Sequence, residues 1–114
     1  MSTFDPMAAA IDWLDAYRAG SFCIVDQYAS DAVIECACGD MKVLRGPEAI
    51  TEYWRHRFDQ KPAGQLVELQ PAGDGVFLSY RAAGELVRAY LYFDLDGKIT
   101  RSVCGPILDI FAVA

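Results

Sequence analysis

From Gln65 to Pro106 the chain reads as four apolar runs separated by three glycine-bearing turns. The runs are Gln65 to Gln70, Val76 to Arg81, Leu86 to Asp94 and Ile99 to Pro106. The turns are 71–75 (Pro-Ala-Gly-Asp-Gly), 82–84 (Ala-Ala-Gly) and Asp96-Gly97. Apolar runs of strand length joined by such short turns fold as an antiparallel meander. A meander with one oily face needs a cover, and the first half of the chain supplies it.

That half follows helical spacing. Asp5 is positioned as an N-cap and Pro6 as the first helical residue. Ile11, Leu14 and Arg18 form one stripe, beside Ala10, Trp13, Leu14 and Tyr17. Gly20 ends this helix, and Ser21 caps a short second one from Phe22 to about Tyr28. Ala32 to Cys38 reads as a strand, Gly39-Asp40 as a reversal, and Met41 to Leu44 as a returning strand. Gly46-Pro47-Glu48 opens a third helix on which Ile50, Tyr53, Trp54, Arg57 and Phe58 keep helical spacing. Helices first and strands later define an α+β class. At 114 residues a single domain spanning 1–114 is expected.

Composition narrows the function classes. The chain is 54% hydrophobic, too apolar for disorder. No apolar run is long enough for a membrane span, and the N-terminus lacks the basic start of a signal peptide. Sixteen acidic against ten basic residues leave a net charge of −6, with no basic cluster. Nucleic acid and anionic membranes are therefore excluded as expected partners. Cys23, Cys36, Cys38 and Cys104 read as reduced thiols of a cytoplasmic protein. Cys36 and Cys38, two apart in a strand, stand too far from each other to bridge.

Three stretches carry a family resemblance. They are 26–35 (Asp-Gln-Tyr-Ala-Ser-Asp-Ala-Val-Ile-Glu), 44–50 (Leu-Arg-Gly-Pro-Glu-Ala-Ile) running into Tyr53-Trp54, and 93–99 (Phe-Asp-Leu-Asp-Gly-Lys-Ile). In this order the chain resembles the SnoaL-like branch of the nuclear transport factor 2-like superfamily, which also contains ketosteroid isomerase. The resemblance implies a cone-shaped, cystatin-like fold: three N-terminal helices on a curved, mostly antiparallel sheet. It also implies homodimers formed through the convex sheet face.

Matching the isomerase pattern puts Cys36 at the general base, Trp13 at the oxyanion-hole tyrosine and Ala89 at the second oxyanion-hole acid. All three family groups are thus replaced, and the family's isomerisation is not expected. Strand parity turns Ile34, Cys36 and Cys38 inward, with Val76, Leu78 and Tyr80, with Val87, Ala89 and Leu91, and with Thr100, Ser102 and Cys104. The helices add Trp13, Tyr17, Tyr28, Trp54 and Phe58. The resulting ligand pocket (Trp13, Tyr17, Tyr28, Cys36, Cys38, Trp54, Phe58, Tyr80, Ala89, Ser102, Cys104) is neutral and aromatic. It suits a small apolar molecule, bound with or without a chemical step and without a cofactor. The alternative is that these side chains fill the cone as core, leaving a dimeric binding or interaction module.

Other constellations read more simply. His56 lies off the apolar stripe and is expected in solvent. Cys36, Cys38, Cys104 and His56 lack the ligand spacing of a zinc site, so no metal is expected. Asp94 to Gly97 lacks the later ligands of a calcium loop. Arg45, Arg88 and Arg101 are candidate anion clamps, Arg45 near the cone mouth. Phe77, Arg88, Tyr90 and Tyr92 face outward and read as a dimer interface. The apolar 107–114 segment is expected to add an edge or cover the core.

Overall fold

Local punctuation sets the helices. In the computed structural model, which describes residues 5–36, 42–60, 62–73 and 75–105, α1 runs Pro6–Ala19. Asp5 Oδ1 accepts from the Met7 and Ala8 backbone N–H groups at 3.0 and 3.4 Å, satisfying donors a helix start leaves orphaned. Gly20 closes the helix in the left-handed conformation (φ 64°), where a side chain would be strained. The second helical segment is a 3-10 turn, Phe22–Gln27, rather than an α-helix. Ser21 caps it through the Cys23 N–H. Six residues between a glycine stop and a strand suit the tighter winding. Tyr28 opens β1 (Tyr28–Cys36) instead of ending that helix. Next come β2 (Lys42–Arg45) and α2 (Gly46–Gln60), then β3 (Ala63–Ala72), β4 (Gly75–Ala82), β5 (Glu85–Phe93) and β6 (Ile99–Gly105). Two α-helices and a 3-10 turn therefore stand where three helices are expected. The second α-helix enters only after the first strand pair.

The six strands form one mixed sheet in the order β2-β1-β6-β5-β4-β3. All neighbours are antiparallel except β1 and β6. The β4–β5 hairpin pairs Ala82 with Glu85, leaving the two-residue loop Ala83-Gly84. Both loop residues have positive φ, 52° and 82°, as a type I′ hairpin demands. The β5–β6 connection is longer than a two-residue turn at Asp96-Gly97. Asp94 organises it: its Oδ1 accepts from the Asp96 and Lys98 N–H groups, both at 2.9 Å. Gly75 is required where it stands, because a Cβ there would run into the Leu91 carbonyl oxygen.

Helix packing shows why the sheet must curl. α1 lies against β3 and β4, whereas α2 lies against β1 and β2, at the other end of the strand order. Yet Trp13 of α1 and Trp54 of α2 touch, ring to ring at 5.6 Å. One sheet covers both helices only by wrapping around them. Register shifts within the β1–β6, β3–β4 and β5–β6 pairs supply the bends. The core sits inside that wrap. Inner-face parity holds for Val76, Leu78, Tyr80, Val87, Ala89, Leu91, Ser102 and Cys104, all buried. It fails at Thr100, which is only half-buried while Ile99 is fully buried. The shift between Tyr92 and Phe93 is the reason: the ladder pairs Phe93 with Ile99 but Tyr92 with Arg101, so Thr100 is the extra residue. Ile11, placed on a core stripe by spacing, is exposed. The segments 37–41 and 107–114, with Cys38 and the reversal at Gly39-Asp40, lie outside the described residues.

Candidate functional site

The cone interior is built by helical spacing of large rings. On α1, Ala10, Trp13, Leu14 and Tyr17 point into the sheet. On α2, Ile50, Trp54 and Arg57 do so at positions i, i+4 and i+7. Tyr80 of β4 closes the group. Trp13, Tyr17, Trp54 and Tyr80 meet edge to face, with ring centroids 4.8–5.9 Å apart. That is the geometry ring quadrupoles favour. Phe58, half-buried at the margin, packs on Trp54 and on Phe22. Ala89 is fully buried, paired in register with Leu78 and Cys104. The structure thus brings together Trp13, Tyr17, Tyr28, Trp54, Tyr80, Ala89, Ser102 and Cys104. Of Cys36 only the backbone is described: it closes β1 in register with Cys104.

Two polar centres are embedded in this apolar setting. The first is the Tyr28 hydroxyl, which accepts from Trp13 Nε1 at 3.0 Å. Burial pushes the Tyr28 phenol up to about 12, although Trp13, Ser102 and Trp54 all act to lower it. Trp54 Nε1 is buried and lies toward the same Tyr28 hydroxyl, without a hydrogen bond of good geometry to any described residue. The second centre is Arg57, only 6% exposed. Its Nε donates to the Tyr17 hydroxyl at 2.8 Å, and its guanidinium lies 5.9 Å from the ring centroids of both Tyr17 and Tyr53. The Tyr53 hydroxyl contacts Cys104 Sγ at 3.3 Å. Burial works against the Arg57 charge, but Tyr53, Tyr80, Tyr17 and Cys104 surround it and hold the guanidinium protonated above its usual range. Burial likewise raises the Tyr80 phenol, with Arg57 opposing.

Arg57 corrects the neutral interior expected from sequence. The signal was present, since Arg57 falls on the buried Ile50–Trp54 stripe. Arg45, Arg88 and Arg101 were the clamp candidates instead. Arg45 is exposed and pairs with Val33, on the face opposite the Leu44–Ile34 pair that points inward. Arg101 is on the outer face, ion-paired with Glu35 and 5.5 Å from the Tyr92 ring. The outer face also carries Phe77 against Tyr90 at 5.3 Å and Tyr90 stacked on Tyr92 at 6.2 Å. Phe77 is itself buried. His56 is exposed beside Glu52. Among the described residues, no group of three or more His, Cys, Asp or Glu is placed to hold a metal ion, and no helix is long and apolar enough to cross a membrane. Cys23 and Cys104 form no disulfide among the described residues.

Neither family models nor curated proteins match this sequence. Solved structures do. A SnoaL-like protein of unknown function from Burkholderia thailandensis is similar at a TM-score of 0.75 and 22% identity, over 87% of this chain and 92% of that one. A de novo designed protein with a curved β-sheet is similar at a TM-score of 0.73 and 19% identity, over 97% of this chain and 93% of that one. At such identities the likeness is one of fold. The chain therefore has a SnoaL-like fold, and a fold alone does not assign an activity.

Proposed function

We propose that this chain binds a small, flat, mostly apolar molecule against the aromatic cluster between α1, α2 and the sheet. The observation that carries the reading is the convergence of polar groups on one otherwise apolar interior. Two indole N–H groups, the Tyr17, Tyr28 and Tyr53 hydroxyls and the Arg57 guanidinium all end there. A core that only had to be filled would use Leu and Phe. Each buried polar group without a good partner costs about 1–3 kcal/mol. A few polar groups converging within an aromatic lining are what a ligand site needs.

Binding without chemistry is the simpler form of this reading. Ala89 offers neither donor nor acceptor where the isomerase pattern has an acid, and Trp13 already donates to Tyr28. The proposal extends to a homodimer through the outer face around Phe77, Arg88, Tyr90 and Tyr92, and to a cytoplasmic setting. Neither nucleic acid nor a membrane is a partner in it, in keeping with the net charge of −6.

One observation favours the second reading, an interaction module with a filled cone: the rings of Trp13, Tyr17, Trp54 and Tyr80 interlock closely. Thermal melting against a metabolite panel separates the two. A bound compound at a hundred times its Kd stabilises the fold by about 2.7 kcal/mol. At least one flat apolar compound should raise the midpoint in a dose-dependent way. A cooperative melt that no compound shifts would favour the filled cone.

A further inference from the structure

Two cysteines far apart in sequence are register partners in the sheet. β1 and β6 form the one parallel pair among the described strands, and their ladder sets Cys36 opposite Cys104. Two residues earlier Ile34 is opposite Ser102, and both are buried on the inner face. A strand repeats its face every two residues, so positions 36 and 104 share that face. Neighbouring strands lie about 4.8 Å apart. A disulfide spans Cα atoms roughly 4.4–6.8 Å apart, so the backbone requirement is met. It also asks the Cβ atoms to approach to about 3.5–4.5 Å, a small step inward from the strand spacing. Cys36 is the last residue of β1 and Cys104 the last but one of β6. A closure there bends only the end of the ladder.

The Cys104 sulfur is tied to the interior. Its side chain is buried, and Sγ lies 3.3 Å from the Tyr53 hydroxyl. Cys104 is also among the groups that act on the buried Arg57 charge. A disulfide sulfur has no hydrogen to donate, so a bridge changes what Tyr53 meets as well as what joins the two strands.

We propose that Cys36 and Cys104 form an oxidisable dithiol, closed by hydrogen peroxide to a cross-strand disulfide. One thiolate attacks the peroxide and becomes a sulfenic acid, with release of a first water. The other thiolate attacks that sulfenic sulfur, with release of a second water. The two thiols together give up two electrons and two protons, and the peroxide is reduced to two waters. The bridge fastens the parallel pair and closes the 36–104 loop. It forms with or without a ligand in the interior.

Peptide mapping of the native chain after exposure to hydrogen peroxide tests it. Trypsin cuts after Arg18, Lys42 and Arg101, so Cys23, Cys36 and Cys38 share peptide 19–42 while Cys104 stands alone on 102–114. The two peptides should be recovered linked, from chain that runs as a monomer on a non-reducing gel, and dithiothreitol should separate them. Fragment ions between positions 36 and 38 should place the bridge on Cys36 in the unaltered chain. Cys23→Ser and Cys38→Ser should keep the link, and Cys36→Ser should lose it. The wild-type map stands whether or not each variant folds. The melting midpoint of the oxidised chain should be roughly 10 °C above that of the reduced chain, as a bridge across a long loop predicts. A link placed on Cys23 or Cys38, a link between two chains, a midpoint lowered by the bridge, or a folded chain in which Cys104 stays reduced or passes to sulfinic acid overturns the proposal.

Discussion

Tyr28 shows how one residue ties stability to the interior chemistry. Its hydroxyl is the acceptor for Trp13 Nε1, and burial raises its pKa from 10.0 to about 12. The folded state thus holds the phenol proton more tightly than the unfolded chain does. The stability this contributes is complete below about pH 10 and is lost as pH climbs toward 12. Two units correspond to roughly 2–3 kcal/mol across that window. Urea midpoints measured from neutral to strongly alkaline pH should therefore fall steeply above about pH 10. Tyr28→Phe should flatten that fall, though Tyr80, raised in the same direction, keeps part of it. At neutral pH the same variant should lose about 1–2 kcal/mol, because Trp13 Nε1 is left without its acceptor. A midpoint that does not respond to alkali would mean that Tyr28 is solvated.

Among the elements, the β4–β5 hairpin holds a local conflict that can be tested. Ala83 occupies the left-handed region at φ 52° because a type I′ loop demands it. For an L-residue that conformation costs about 1–2 kcal/mol. Its N–H donates to the Pro62 carbonyl at 3.3 Å, which fastens the hairpin to the entry of β3 and survives substitution. Ala83→Asn makes the preferred Asn-Gly pair and should stabilise the fold by roughly 0.5–1 kcal/mol. The urea midpoint should rise at an unchanged slope. A lower midpoint would show that the loop is not of this type.

Strand parity is a period of two, so the inner positions of β4, β5 and most of β6 were legible from the alternation itself. The bulge at Thr100 was not. An extra residue leaves no mark on alternation, and only pairing reveals that Phe93 meets Ile99. The winding of 22–27 was equally hidden, because six residues satisfy a 3-10 turn and an α-helix alike. Arg57 was on the right stripe, but composition argues for placing an arginine in solvent. Burial was decided by ring and hydroxyl neighbours drawn from α1 and β4 as well as from α2.

At the scale of the whole molecule, two faces of one sheet carry two different proposals. The outer face joins Phe77, Tyr90 and Tyr92 in a continuous aromatic run on adjacent strands, with the Arg101–Glu35 pair beside it. If a second copy covers it, light scattering should give twice 12.6 kDa at micromolar concentration. Tyr90→Glu should then yield a folded monomer. Wild-type chain that scatters as a monomer would remove the dimer without touching the interior. The inner face is tested most directly through the indoles. The chain has two tryptophans, and both lie inside the cone, so a proton–nitrogen correlation spectrum carries two indole signals, from Trp13 and Trp54. On titration with the compound that most raises the melting midpoint, both signals should move, because both indoles belong to the ring cluster proposed to meet the ligand. Indole signals that stay fixed while resonances elsewhere saturate would contradict the account.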